Sequence, residues 1–126
     1  MPVAAGLYYF AHEVDNFSRP PVILIHGAGG HHLFWPPQIR RLHNQRIFAI
    51  DLPGHGKSEG VGHHTIDDYT LEILEFINAL NLNAVVLVGH SMGGAIALRF
   101  AAQRPLHFQR LVLIDVAGIL HPQVIY

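Results

Sequence analysis

The sequence predicts an α/β fold, a mostly parallel sheet with helices on both faces. Three observations predict it. Short apolar runs rich in β-branched residues recur at 22–25, 47–50, 84–88 and 111–114, the length of buried strands. Segments of helical periodicity or helix-forming composition separate them, which is the order of βαβ units. Each run also stops at a polar or glycine-rich group, so that His26, Asp51, Ser91 and Asp115 fall at the carboxyl ends of strands, where a parallel sheet carries its functional loops. With 50% hydrophobic and 13% charged residues, the 126-residue chain can bury a sizeable core and form one domain or part of one.

Taken in order, residues 7–14 predict a first strand at the sheet edge, and 16–21 a turn. The strand at 22–25 runs into His26-Gly27-Ala28-Gly29-Gly30, a loop whose backbone can approach a ligand closely. Residues 35–44 predict a helix with Pro36 and Pro37 near its first turn, where a missing N–H costs little. The strand at 47–50 ends at Asp51, which is expected to accept backbone hydrogen bonds within its own Gly-rich turn. Ile66, Tyr69, Ile73, Phe76, Ile77 and Leu80 fall at helical intervals across 65–80, with Thr65 and Asp68 resembling a capping box. The strand at 84–88 leads to helix formers at 95–102. Pro105 then stops the helix before the strand at 111–114.

The most informative stretch is Gly89-His90-Ser91-Met92-Gly93. Glycines two residues either side of a serine, between a strand and a helix, match the G-x-S-x-G nucleophile elbow, whose tight bend leaves little room for side chains. Ser91 is therefore the candidate nucleophile. The helix start beside it offers unpaired N–H groups and the positive end of a dipole, which would stabilise negative charge developing there.

Other chemistries fit poorly. A net charge of −1 and a pI near 6.8 supply no clustered cations for nucleic acid. The chain has no cysteine, so disulfides and thiolate metal sites are excluded. Its 11 histidines include no pair at the helical i, i+4 spacing of a zinc site, and no metal or cofactor is expected. Gly54-His55-Gly56-Lys57-Ser58 copies the end of a phosphate-binding loop, but Asp51 stands where the first glycine belongs and would repel phosphate. Nicotinamide binding would require glycine at His32. The apolar region 84–102 is interrupted by His90, Ser91, glycines and Arg99, so no membrane span is expected. The N-terminus lacks the basic residues of a signal peptide, and the expected location is cytoplasmic.

Together, His26-Gly27, the run from Asp51 to Ser58 and the run from Gly89 to Gly94 resemble, in this order, the motifs after the third, fourth and fifth strands of the α/β-hydrolase family. The likeness is to its serine esterases with an inserted cap. The resemblance implies Ser91 as nucleophile and an oxyanion hole made by the backbone N–H groups of Met92 and Ala28, with Gly29 as second choice for the latter. It implies a small apolar ester or similar acyl substrate, because branches that hydrolyse halides or epoxides use aspartate at the nucleophile position. Leu33, Phe34 and Trp35 are candidates to line the pocket or to pack a helix start.

The family's triad runs Ser, then Asp or Glu, then His along the chain. After Ser91 the sequence holds one acid, Asp115, and two histidines, His107 and His121. His107 is expected at the opposite end of the sheet, and Asp115 with His121 would form an unusual short triad. Residues 1–126 are therefore expected to be the N-terminal part of one α/β-hydrolase domain, without the cap and the C-terminal triad portion, and inactive alone. The alternative is a non-catalytic small-molecule-binding protein of the same fold.

Overall fold

The computed structural model describes residues 2–15 and 18–116. Among the described residues six strands form one sheet: β1 (Val3–Ala4), β2 (Leu7–His12), β3 (Val22–Ile25), β4 (Ile47–Ile50), β5 (Val85–His90) and β6 (Phe108–Ile114), in the spatial order β1-β2-β4-β3-β5-β6. The pairs β3 with β4, β3 with β5 and β5 with β6 are parallel, whereas β1 with β2 and β2 with β4 are antiparallel. From β3 the chain passes to β4 on one side and then to β5 on the other. The direction of winding thus reverses at β3, and in open sheets of this kind ligands bind outside the carboxyl ends of the strands at such a switch point.

Side chains alternate across the sheet and fill two cores. On one face Ile23, Ile25, Phe48, Ile50 and Leu87 pack against helices α2 (Ile66–Ala79) and α3 (Met92–Gln103). The α2 stripe of Tyr69, Ile73, Phe76 and Ile77 is buried as its periodicity predicts, each side chain being worth about 1.5–3 kcal/mol of apolar burial. Its start is capped by Thr65, whose side-chain oxygen accepts the Asp68 N–H at 3.1 Å. Asp67 ties α2 to α3 by accepting from Arg99 Nε at 2.8 Å and Gln103 Nε2 at 3.1 Å, which holds its carboxyl below the ordinary range.

On the opposite face Leu24, Ile47 and Ala49 pack on Trp35, next to a 3₁₀ turn (His32–Phe34) and the short helix α1 (Pro37–Arg40). Beyond Trp35 and Ile39 this face leaves an apolar trough of about 310 Å³ over Val86, Val88, Val112 and Ile114.

Three expectations about elements need correction. β2 is not an edge strand: the Ala5-Gly6 turn, with both residues at positive φ (50° and 80°), folds β1 back along it, a geometry suited to a two-residue hairpin. The helix expected over 35–44 shrinks to Pro37–Arg40, because Ile39 and Leu42 stay exposed and offer too little packing to sustain further turns. The last strand starts earlier, at Phe108. Part of the turn expected at 16–21, residues 16 and 17, lies outside the described residues.

Candidate active site

Ser91 stands between β5 and α3 at φ 54° and ψ −119°, a conformation that L-residues rarely adopt and that tertiary packing must enforce. A side chain on Gly89 would run into the Gly93 carbonyl, and one on Gly93 into the Ile25 carbonyl at the end of β3. The spacing of these glycines is therefore a steric requirement of the bend and of its approach to β3. Around Ser91, its N–H donates to the Ile114 carbonyl at 3.0 Å, and its own carbonyl accepts from the N–H groups of Gly94 at 2.9 Å and Ala95 at 3.2 Å. The side chain is exposed, and Met92 follows as the first residue of α3, where N–H groups have no carbonyl one turn back.

The loop after β3 closes on this bend. A Cβ on Gly27 would lie 3.1 Å from Ser91 Cβ and 3.3 Å from the His90 carbonyl, so the loop runs against the serine with Ala28 and Gly29 exposed. His26, which begins it, is completely buried. Its Nε2 accepts the Leu52 N–H at 3.0 Å, so Nδ1 carries the proton and donates to the Gly27 carbonyl at 2.6 Å. Burial pushes its pKa down to about 4, against the opposing pull of the Gly27 bond.

Asp51 is equally buried and does accept within its own turn, from the Lys57 N–H at 2.8 Å. Gly56, at φ 53°, leaves the space that its carboxylate fills. The sequence did not reveal its other partner. His32 donates to it twice, from its backbone N–H at 2.6 Å and from Nδ1 at 2.9 and 3.0 Å to the two carboxylate oxygens. These residues lie 19 positions apart on different loops, and no local pattern marks the pair. Ser58 completes the corner: its hydroxyl donates to the Asp51 carbonyl at 2.5 Å and accepts the Tyr8 N–H at 2.9 Å.

Of the three candidate pocket residues, Trp35 belongs to the core beneath the sheet, whereas Leu33 and Phe34 are exposed. The Phe34 ring stacks on His90, the neighbour of Ser91, with centroids 4.3 Å apart and planes inclined by 28°. The structure thus gathers Ser91, Met92, the Ala28 loop and Phe34 at one end of the sheet. Asp115 follows β6 at that same end with its side chain 81% exposed, Oδ2 lying 4.0 Å from His90 Nε2. His107 lies at the other end, its carbonyl accepting the Val85 N–H where β5 begins. His121 falls outside the described residues. Among the described residues no cluster of three histidine, aspartate or glutamate side chains could hold a metal ion, and no helix is long and apolar enough to cross a membrane.

Comparison with known proteins identifies the family of the fold. A family model described as the alpha/beta hydrolase fold matches residues 20–124. The chain is 34% identical over 113 residues to a monoacylglycerol lipase, abhd6-B, of Xenopus laevis, which covers 83% of the chain and 33% of the lipase. It is 32% identical over 128 residues to 2-hydroxy-6-oxo-2,4-heptadienoate hydrolase of Pseudomonas putida, covering 94% of the chain and 45% of that enzyme. Among solved structures, an esterase from a marine microorganism superposes with a TM-score of 0.80 at 28% identity, over 94% of the chain and 46% of the esterase. The chain thus spans a third to just under half the length of these relatives, which are hydrolases, and it belongs to the α/β-hydrolase fold family.

Proposed function

We propose that Ser91 is the nucleophile of a serine hydrolase acting on ester-like acyl substrates. The strained backbone of Ser91, at an exposed position immediately before α3, is the observation that carries this reading. In the whole protein, Ser91 Oγ attacks the acyl carbonyl carbon while a histidine takes the hydroxyl proton, and an acid orients that histidine. The carbonyl π electrons move to oxygen. The resulting oxyanion accepts hydrogen bonds from the Met92 and Ala28 N–H groups, fixed dipoles that need no rearrangement as charge develops. Collapse expels the alcohol, which leaves with the proton held by the histidine. Water then attacks the acyl-enzyme, its proton passes through the histidine to Ser91 Oγ, and the carboxylic acid departs.

The histidine and acid of this scheme lie outside residues 1–126, which form the N-terminal part of one catalytic domain. Exposed Leu33 and Phe34 favour a small apolar acyl group over a charged one. The experiment is covalent labelling of the intact protein with a fluorophosphonate, read by peptide mass spectrometry. A single adduct on Ser91, absent from Ser91→Ala, is expected. Reversible binding of an ester analogue without labelling or turnover would replace the enzyme reading with that of a binding protein.

A further inference from the structure

We propose that His32 is a positioning residue for the oxyanion hole, fastening the far end of the Ala28 loop to the buried carboxylate of Asp51; this rests on the reading of Ser91 and Ala28 given above. Gly27, Gly29 and Gly30 surround Ala28, and so short and glycine-rich a run has wide conformational freedom to lose. An oxyanion donor is useful only when its N–H is held at hydrogen-bond distance from the place where charge develops. The loop must therefore be anchored from its flanks.

Both flanks end in a histidine, and both histidines reach the same corner. At the near end His26 Nε2 accepts from the backbone of Leu52, and at the far end His32 donates to the side chain of Asp51, the preceding residue. Residues 26–32 are thus clamped onto two consecutive residues at the end of β4. Between the clamps the Gly30 N–H donates to the Gly27 carbonyl at 3.0 Å, leaving Ala28 and Gly29 at the crest.

The polarity of each clamp follows from its partner. Leu52 offers a donor, so His26 must present a lone pair; Asp51 accepts, so His32 must present a proton at Nδ1. The Asp51 carboxylate is itself held by the Lys57 N–H and enclosed where Gly56 leaves room, which makes it a fixed anchor. His32 is nearly as buried, with the Tyr8 ring 5.2 Å away on its other side. Burying a polar ring costs stability unless it is bonded, so an apolar residue would serve equally well here if filling space were its sole task.

The test compares wild type, His32→Leu and His32→Asn in the intact protein. Leucine keeps apolar bulk and removes the ring donor, whereas Asn Nδ2 occupies the branch position of His Nδ1. Two quantities are measured: amide hydrogen exchange across residues 27–31, with α2 as the internal control of folding, and the rate of fluorophosphonate labelling at Ser91. In His32→Leu the loop amides should exchange at least about tenfold faster with α2 unchanged, and labelling should slow about 10- to 100-fold. His32→Asn should recover most of both. Unchanged loop exchange in His32→Leu, or equal loss in the leucine and asparagine variants, would overturn the proposal. If His32→Leu fails to fold, Asp51→Asn carries the comparison, since it keeps volume but turns a donor towards donors; loop exchange unchanged there overturns the proposal equally. Wild-type protein that resists labelling would remove the serine-hydrolase reading, while the exchange comparison would still decide whether His32 anchors the loop.

Discussion

The backbone N–H of Ser91 donates to the Ile114 carbonyl across 3.0 Å, joining the bend after β5 to the end of β6. On its other side the same bend is pressed against β3, where Gly93 meets the Ile25 carbonyl. The unfavourable torsions of Ser91 are therefore imposed from both neighbouring strands, and the sheet must be assembled before the hydroxyl can project as it does.

Stored strain of this kind can be released by one substitution. A non-glycine residue in such a region costs about 1–3 kcal/mol, against about 0.5–1 kcal/mol for the extra freedom that glycine brings to the unfolded chain. Ser91→Gly is expected to raise stability by about 1 kcal/mol, seen as a higher urea midpoint, while abolishing labelling. Ser91→Ala retains Cβ and should gain nothing from this source. Destabilisation by the glycine would show that the torsions are not costly.

Gly93→Ala should act in the opposite direction. Alanine improves helix propensity by about 1 kcal/mol, but its methyl would overlap the Ile25 carbonyl, a backbone atom fixed in a central strand. Overpacking of this sort typically costs about 1–3 kcal/mol, and with no flexible side chain to yield, the clash wins. The expected result is a net loss of up to about 2 kcal/mol in denaturant unfolding and weaker labelling of Ser91. Unaltered stability would place Gly93 further from β3 than the structure does.

The His26 shift predicts acid sensitivity. Its pKa falls from 6.5 to about 4 on folding, so between these values the unfolded chain binds a proton that the folded chain refuses. The contribution is complete above pH 6.5 and is lost as pH falls towards 4, amounting to about 3 kcal/mol over that window. Denaturant titrations at stepped pH should show this slope in wild type and lose it in His26→Asn. Equal slopes in the two proteins would show that His26 titrates normally.

What could be read from the sequence divides along physical lines. The strands at 22–25 and 47–50 are covered on both faces and so appear as unbroken apolar runs. The elbow shows itself because its steric demands fall on residues two positions from Ser91. Where structure depends on distant partners, the reading fails. Residues 35–44 have a proline-led helical start, but whether they continue depends on what packs against Ile39 and Leu42. β2 became interior through a turn containing Ala5 at φ 50°, a residue that carries no turn signal. Within the site, Asp51 shows itself through the Gly-rich turn whose Lys57 N–H it accepts. His32 carries no local signal, since the carboxylate that gives it a role lies 19 positions on, at the end of the neighbouring strand β4.

Asp115 is the one acidic residue that follows Ser91 within residues 1–126. It comes directly after the Ile114 carbonyl that holds the Ser91 N–H, so its position alone would recommend it as the triad acid. Its surroundings do not. A triad acid is buried and hydrogen-bonded to its histidine, whereas the Asp115 side chain is 81% exposed and reaches His90 at 4.0 Å, the outer limit of an ion pair. Exposed pairs are worth about 0–1 kcal/mol, which corresponds to at most about a fivefold effect on rate. Asp115 sits at φ 52°, a conformation that asparagine tolerates as readily as aspartate, so Asp115→Asn keeps the backbone and removes only the charge. Fluorophosphonate labelling of Ser91 in the intact protein should therefore change by less than about fivefold in this variant. A loss near 10⁴-fold, the scale seen when a triad aspartate is amidated, with hydrogen exchange in α2 unaltered, would make Asp115 the acid and direct the search for the base to His121.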